Sequence, residues 1–385
     1  NMDKMDKMTH FYDLTHNNEK SITFKIKNID VSIVNSIRRL IYTDIPNVGF
    51  YFKIKDHFVE NDMNFIENKS PLHNEFLAHR LSLIPLHFTE QEIENWNRDD
   101  YKFVLKKELT SNQDIQDVTT EHFSIFDKDG KELPKSFVKR ILPSNEITKD
   151  HILITKLRPE NNEKKSVHIE AYATKGIAID CTCWSVVSTC VYFNTIDEEA
   201  ADVALKKLLK NIPSEKKKSV EAEFNTLQKY RYFMKNEFNE PSSFTMTVES
   251  ECAMSPKFIF HKAGQVCIDK LNTIIEQFRN PKEKTVTIDN IGEIANYYVV
   301  TIKGYTHTIG NLLQSLILNK YIREKKVLEY IGYSVPHPLE NTFLVKIKFI
   351  NDTSMNELRE FMINAIDEIV QDLTSFMKEF EEFSS

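Results

Sequence analysis

The sequence predicts an α+β fold in which one half-domain is written twice in a single chain. Three observations predict it. Ile33-Val34-Asn35-Ser36-Ile37-Arg38-Arg39-Leu40-Ile41 and Ile309-Gly310-Asn311-Leu312-Leu313-Gln314-Ser315-Leu316-Ile317 share the pattern I-x-N-x-[I/L]-x-x-L-I. Each is preceded, in register, by an alternating strand, Phe24-Lys25-Ile26-Lys27 and Val300-Thr301-Ile302-Lys303, that runs into a short turn. Each half then closes with another strand and a long amphipathic helix, the plan of helices on one face of an antiparallel sheet. Two copies of one interface element suggest a dimer written as one polypeptide.

The first helix starts at Asp30, whose carboxylate can accept orphan backbone N–H groups. Ile33, Val34, Ile37, Leu40 and Ile41 then form one stripe at helical spacing. Asp44-Ile45-Pro46-Asn47 ends the helix, because proline disfavours helical geometry in the residue before it. In the second copy Thr308 takes the capping place, ahead of Ile309, Leu312, Leu313, Leu316 and Ile317. Each fully buried residue of this kind contributes about 1.5–3 kcal/mol. Two such stripes facing each other would form a strong internal seam, centred on Ile37/Leu40/Ile41 and Leu312/Leu313/Leu316.

In the first half, Phe244-Thr245-Met246-Thr247-Val248 alternates as a strand and Pro256 opens a helix. Phe260, Ala263, Cys267, Ile268, Leu271, Ile274, Ile275 and Phe278 make its apolar stripe. In the second half, Phe343, Val345, Ile347 and Phe349 alternate ahead of a helix with Leu358, Phe361, Met362, Ala365, Ile366, Ile369, Val370, Leu373, Met377 and Phe380 on one face. The second copy passes from first helix to last between Ile317 and Leu358, whereas the first spans Ile41 to Pro256. Something is therefore inserted, from about Phe52 to Cys190, and its β-branched runs and turn signals such as Asp129-Gly130 and Arg158-Pro159 read as β-rich. The boundaries expected are 1–51 with 191–280 for the first, discontinuous half, 52–190 for the insert and 281–385 for the second half. Asn280-Pro281-Lys282-Glu283-Lys284 reads as the linker, and the tail Glu379-Phe380-Glu381-Glu382-Phe383 as frayed.

Composition narrows the function. With 41% hydrophobic and 28% charged residues the chain is globular rather than disordered. No apolar run approaches the roughly 18 residues of a membrane span, and Asn1-Met2-Asp3-Lys4-Met5 lacks the apolar core of a signal peptide. Five cysteines without a regular framework point to a reducing compartment. The net charge of −7 argues against non-specific nucleic-acid binding by the whole chain. The basic run from Lys206-Lys207 to Lys216-Lys217-Lys218 lies among acidic residues and flanks Pro213, which reads as a solvated loop. Only 8 glycines are present, and no phosphate-cradling loop can be drawn through them.

Candidate chemistry is sparse. Cys181-Thr182-Cys183 with Cys190 is the one cysteine cluster, but a zinc site wants four ligands and C-x2-C spacing, so these read as reduced core cysteines in a strand-like context. His73-Asn74-Glu75 mimics the H-x-E of zinc deaminases without the P-C-x-x-C partner. Asp127-Lys128-Asp129-Gly130 suits an exposed hairpin turn better than a pair of metal carboxylates. His307 is an unremarkable turn residue ahead of the second helix. No catalytic site, metal or cofactor is assigned. Arg38-Arg39 flanks the apolar stripe and has two readings: snorkelling at the seam edge, or a fork-like anchor for another chain's carboxylates or carbonyls.

Taken together, these residues resemble the alpha-subunit family of multisubunit RNA polymerases: the bacterial alpha N-terminal domain, the archaeal D and L subunits, and the eukaryotic third and eleventh subunits of RNA polymerase II. Asn35-Ser36-Ile37-Arg38-Arg39-Leu40 followed by Asp44-Ile45-Pro46 looks like the D-type interface helix. Asn68-Lys69-Ser70-Pro71-Leu72-His73-Asn74-Glu75-Phe76-Leu77-Ala78-His79-Arg80-Leu81-Ser82-Leu83-Ile84-Pro85-Leu86 looks like the long, specific stretch that follows it. Lys175-Gly176-Ile177-Ala178 with Trp184 resembles the family's inserted domain, and Val248-Glu249-Ser250 the return to the dimerisation sheet. From about Val286 the chain looks like the L-type partner, through His307-Thr308-Ile309-Gly310-Asn311-Leu312-Leu313 and Gly332-Tyr333-Ser334-Val335-Pro336-His337-Pro338-Leu339-Glu340. D-type and L-type halves fused in one chain are similar to the polymerases of nucleocytoplasmic large DNA viruses. The cysteines that ligate zinc or iron–sulfur clusters in some D-type relatives have no counterpart between Phe88 and Lys106, so no metal is carried over.

The resemblance implies a non-catalytic assembly platform for transcription, a pseudo-heterodimer not expected to homodimerise. It implies docking of the two largest polymerase subunits and of small subunits, with DNA and RNA met only through the complex. Asn35, Arg38 and Arg39 and the segment Glu75 to Leu86, with Glu75, His79 and Arg80 foremost, are the implied large-subunit contacts. The implied place is intracellular: host cytoplasm and virion if the source is viral, the nucleus otherwise. Two other classes stay open, a dimerisation adaptor unrelated to transcription and a zinc enzyme built on His73, Glu75 and the cysteines.

Overall fold

A strand pair opens the chain, β1 (Phe11–Asn17) and β2 (Ser21–Lys27), and α1 (Val31–Thr43) follows. These belong to a computed structural model that describes residues 9–55, 58–109, 114–159, 165–210, 212–280, 284–290 and 294–384. The segment Asn1-Met2-Asp3-Lys4-Met5 and Pro281-Lys282-Glu283 of the expected linker lie outside the described residues. After α1 the chain runs through β3 (Pro46–Gly49), β4 (Phe52–Lys55), β5 (Phe58–Asn61), β6 (Met63–Asn68), α2 (Asn74–Ser82) and α3 (Glu90–Glu94). It continues with β7 (Tyr101–Glu108), β8 (Gln116–Thr119), β9 (Phe123–Asp127), α4 (Lys135–Ile141), β10 (Leu153–Leu157), β11 (Ser166–Tyr172) and β12 (Thr174–Ile177). The first half resumes with β13 (Val187–Asn194), α5 (Glu198–Leu209), α6 (Ser214–Glu223), β14 (Ser243–Ser250) and α7 (Pro256–Arg279). The second half is β15 (Val286–Asn290), β16 (Tyr297–Lys303), α8 (His307–Ile317), β17 (Leu328–Ser334), β18 (Thr342–Phe349) and α9 (Met355–Ser384).

The repeat is visible in the sheets. The first half orders its strands β1-β2-β14-β13 and the second β15-β16-β18-β17. In both, the strand before the short helix lies beside the strand before the long helix, so one topology is executed twice. Alternation explains the layering: β2 and β18 bury every second residue, which leaves one face for a helix and one facing outward. Ile22, Phe24 and Ile26 of β2 are fully buried, as are Phe343, Val345 and Ile347 of β18. The α7 stripe is buried throughout, from Phe260 to Phe278.

Two compact units result. One comprises Asn1–Leu40, Cys190–Val248 and Phe260–Ser385, and so contains both half-domains. The other comprises Ile41–Thr189 and Glu249–Ile259. The second unit takes in the chain from Ile41 because β3 pairs antiparallel with β12, Val48 opposite Lys175. Its main sheet is antiparallel, ordered β6-β11-β7-β9. Gly176 of β12 is required here: a Cβ would come within 2.6 Å of the Trp184 ring, whose Nε1 donates to the Thr174 carbonyl at 2.7 Å. Asp127-Lys128-Asp129-Gly130 forms the expected turn, with Gly130 at φ +76° and the Asp127 carboxylate accepting from the Asp129 and Lys131 amides.

Three expectations need correction. The run Lys206–Lys218 is not a loop: α5 and α6 occupy it, because Asp197 caps α5 through the Ala200 amide (3.0 Å) and Pro213 sits at the start of α6, where its missing N–H costs nothing. The tail is not frayed: α9 continues to Ser384 with Phe380 buried, because aromatic partners from the first half receive it. A turn at 178–180 is followed by one 3-10 turn, Thr182–Trp184, so Cys181 and Cys183 do not lie in a strand.

Candidate functional site

Within the first unit the two halves meet through α1 and α8. Ser36 Oγ donates to the Thr308 carbonyl (3.3 Å), and Arg39 Nε donates to Thr308 Oγ1 (2.7 Å). At the other end of α1, Asp30 accepts from Ser315 Oγ (2.9 Å) and Asn319 Nδ2 (2.8 Å). The start of each helix thus lies beside the far part of the other, an antiparallel crossing. Asp30 also accepts from the Ser32 amide at 2.7 Å, so one carboxylate caps its own helix and holds the partner helix. Thr308 does not cap: Thr306 holds the N-cap position without a side-chain bond, which frees the Thr308 hydroxyl for Arg39.

The expected seam residues Ile33, Val34, Ile37, Leu40 and Ile41 are buried, as are Ile309, Leu312, Leu313 and Ile317. Leu316 differs. It is half-buried, so the sealed part of the second stripe is Leu312, Leu313 and Ile317.

A second contact was not anticipated from the sequence. Phe11 of β1 meets Phe376 and Phe380 of α9 at 4.6 and 5.2 Å between ring centroids, and Phe383 stacks on it at 5.8 Å. Phe24 and Phe260 complete the cluster against Phe380, at 5.3 and 4.3 Å. Gly264 lets α7 come close to α9, since a Cβ there would fall 2.3 Å from Met377 Sδ. His10–Glu379 (2.9 Å) and His261–Glu381 (2.8 Å) border the rings. The Phe376, Phe380, Phe383 spacing is helical and was readable. Their partners, far away in sequence, were not. The same holds for Arg323, whose guanidinium forks onto both oxygens of Glu240 at 2.7 and 2.8 Å. These bonds lower the Glu240 carboxyl below its ordinary value and raise Arg323. A polar cleft of about 580 Å³ lies here, lined by Asn28, Asp30, Lys235, Glu240, Ser315 and Arg323.

Of the expected contact residues, Asn35, Arg38 and Arg39 lie on α1. Arg38 Nε and Nη2 reach Asn35 Oδ1 at 3.3 and 2.9 Å, and its charge counteracts, in part, the burial that pushes the Cys190 thiol up to about 12. Arg39 is exposed and donates to Thr308. Glu75, His79 and Arg80 lie on α2, in the second unit. Glu75 and His79 are exposed, and Phe76 and Leu83 beside them are 61% and 56% exposed. Arg80 is engaged: its Nε and Nη2 donate to the Ile154 and Leu153 carbonyls of β10 at 2.8 and 2.7 Å, fixing α2 against that strand.

Cys183, Cys190, Cys252 and Cys267 are buried thiols and Cys181 is half-buried. Burial raises the Cys183 thiol far above its usual range, which suits a packed thiol rather than a nucleophile. Among the described residues no three His, Cys, Asp or Glu side chains gather as a metal would need, and no helix is long and apolar enough to cross a membrane.

Comparison with known proteins places these elements. A family model for the RNA polymerase Rpb3/Rpb11 dimerisation domain matches residues 23–271, and a second model of the same description matches 297–379. Subunit 3B of the DNA-directed RNA polymerases IV and V of Arabidopsis thaliana is 29% identical over 44% of this chain and 52% of its own length. Subunit Rpo3 of the DNA-directed RNA polymerase of Methanobrevibacter smithii is 27% identical over 50% of this chain and 65% of its own. Subunit RPAC1 of the human DNA-directed RNA polymerases I and III is 27% identical over 47% of this chain and 53% of its own. The chain thus spans about half to two-thirds of the length of these relatives.

Proposed function

The chain belongs to the RNA polymerase Rpb3/Rpb11 dimerisation domain family, and from that premise we propose that it is a non-catalytic assembly subunit of a multisubunit DNA-directed RNA polymerase. One observation carries the reading. Two family matches fall on two half-domains that share a strand order and bond to each other through Asp30, Ser36, Arg39 and Thr308. A paired platform presents both halves in a fixed relation, which is what ordering larger subunits requires. The domains proposed are 1–51 with 191–280, the insert 52–190, and 281–385.

The partners proposed are the two largest subunits, which would hold the catalytic metal and the nucleic acid, together with small subunits. Asn35, Arg38 and Arg39 on α1 and Glu75 and His79 on α2 are the proposed contacts. Exposed Phe76 and Leu83 support α2, since apolar anchors rimmed by charge suit a protein interface. Arg80 would act by holding α2 in place. The place proposed is inside the cell, wherever that polymerase transcribes: virus factory and virion if the source is viral, the nucleus otherwise.

The test is purification of the tagged chain from its native source at moderate salt, with mass spectrometry of what accompanies it. Two very large proteins in equal amount, together with RNA synthesis, would support the reading. The chain alone, or unrelated partners without RNA synthesis, would overturn it in favour of a separate dimerisation adaptor.

A further inference from the structure

Two of the five cysteines sit in one turn of the second unit, where the sequence reads Cys181-Thr182-Cys183. In a strand, residues two apart are separated by about 6.6–6.8 Å, whereas a disulfide brings its Cβ atoms to about 4 Å. A strand would therefore keep these thiols apart. The backbone here does the opposite. The Cys181 carbonyl accepts from the Trp184 amide at 3.2 Å, which closes a turn around both cysteines and draws their Cα atoms inside the span that a disulfide bridges.

The side chains are also brought together. Cys181 Sγ donates to the Phe52 carbonyl at 3.4 Å, and the Cys183 thiol hydrogen-bonds to Cys181 in turn. Cys183 is 8% exposed and Cys181 half-buried, so one sulfur of the pair is open to a reagent from solvent and the other waits behind it. The turn is held from behind. Tyr51 stacks on Trp184 at 5.3 Å, Trp184 Nε1 donates to the Thr174 carbonyl, and Gly49 packs so closely that a Cβ would lie 2.6 Å from the Cys183 carbonyl oxygen. Cys190, Cys252 and Cys267 are all buried, which leaves Cys181 as the accessible thiol of the chain.

We propose that Cys181 and Cys183 form a reversible redox site, which closes to an intramolecular disulfide by exchange with a small-molecule disulfide of the glutathione class. The Cys181 thiolate attacks one sulfur of the reagent. The reagent's S–S bond breaks, its first half leaves with the proton that Cys181 lost, and a mixed disulfide stays on Cys181. Cys183 then attacks the Cys181 sulfur, and the second half leaves with the Cys183 proton. Two protein thiols are oxidised, and one disulfide is reduced to two thiols. Burial keeps the Cys183 thiol protonated, so it does not react first. As the resolving group it acts within the chain, on a sulfur two residues away, where proximity offsets its low reactivity. In a reducing compartment such a bridge is transient, the behaviour of a redox-sensing pair. Every residue of the site belongs to the second unit, and the proposal does not rest on the assembly reading.

The test incubates the full, reduced chain with oxidised glutathione, alkylates the remaining thiols in denaturant and maps chymotryptic peptides by mass spectrometry. Cleavage after Tyr172 and Trp184 separates Cys181 and Cys183 from Cys190. The expected result is loss of two of the five thiols, an unalkylated and internally bridged peptide 173–184, and full recovery of the thiols with dithiothreitol. Cys183→Ser should instead trap glutathione on Cys181, and Cys181→Ser should leave Cys183 unmodified, with circular dichroism checking that both variants fold. The map of the unaltered chain decides the matter even if they do not. Five intact thiols, a glutathione adduct that persists on Cys181 of the unaltered chain, or a bridge to Cys190, Cys252 or Cys267 would each overturn the proposal.

Discussion

Asp30 shows how much one side chain can decide. Its carboxylate caps α1 and accepts from Ser315 and Asn319 in the other half. Losing a cap costs about 1 kcal/mol, and hydrogen bonds to an ionised group contribute about 1.5–3 kcal/mol. Asp30→Ala should therefore cost about 3 kcal/mol in urea denaturation. A loss no larger than that of a cap would mean that the cross-half bonds contribute nothing. Glu92 makes a different prediction. Its carboxyl is held at about 2, against an ordinary 4.5, chiefly by hydrogen bonds from Arg140, with the Thr89 amide assisting. A carboxylate lowered on folding stabilises fully above pH 4.5, and the contribution disappears as pH falls through 2. Part of the group faces solvent, so Glu92→Gln should cost about 1 kcal/mol at pH 7. Its melting curve should converge on that of the unaltered chain between those two values. A gap that persists below pH 2 would point to lost packing instead.

At the scale of the element, the two stripes carry the argument. Leu313 is fully buried on α8 whereas Leu316, one turn on, is half-buried. Leu313→Asp should cost more than about 3 kcal/mol, because an unpaired charge would be enclosed. Leu316→Asp can keep its carboxylate wet and should cost about 1 kcal/mol or less. Equal losses in the two variants would show that the buried face of α8 is misassigned. The arginines belong to the same helix scale. Arg38→Glu with Arg39→Glu should leave the isolated chain folded, which circular dichroism checks, since Arg39 is exposed and Arg38 only half-buried at the edge of the stripe. It should also abolish recovery with the large polymerase proteins, and normal recovery would remove these arginines from the proposed contact.

The whole molecule is a pairing closed by a tether. Asp30–Ser315, Arg39–Thr308, Glu240–Arg323 and the Phe11–Phe380 cluster all join residues from opposite sides of the linker. A tether supplies an effective concentration near millimolar, but these contacts are those of a stable interface in their own right. Residues 1–280 and 284–385 expressed as separate chains should therefore copurify at one to one through size exclusion. Elution as separate species would mean that the tether, rather than the seam, holds the halves together.

The repeat, the short helices with their stripes, the long helices and the Asp127–Gly130 turn were legible in the sequence because each is a local periodicity or a local dihedral demand. The β-rich insert was legible by elimination, from the unequal spacing of the two copies. The lysine run misled because charge and Pro213 suggest a loop, while the Asp197 cap and the start position of Pro213 favour two helices. The tail misled because alternating glutamate and phenylalanine look solvated until Phe11, Phe24 and Phe260 are brought to them. By itself, then, the sequence determined the elements and their duplication, since hydrophobic period and capping act over a few residues. Only the tertiary structure decided which hydroxyl meets Arg39, which carboxylate meets Arg323 and which rings cover Phe380, since those partners lie 83 or more residues apart and leave no periodic trace along the chain.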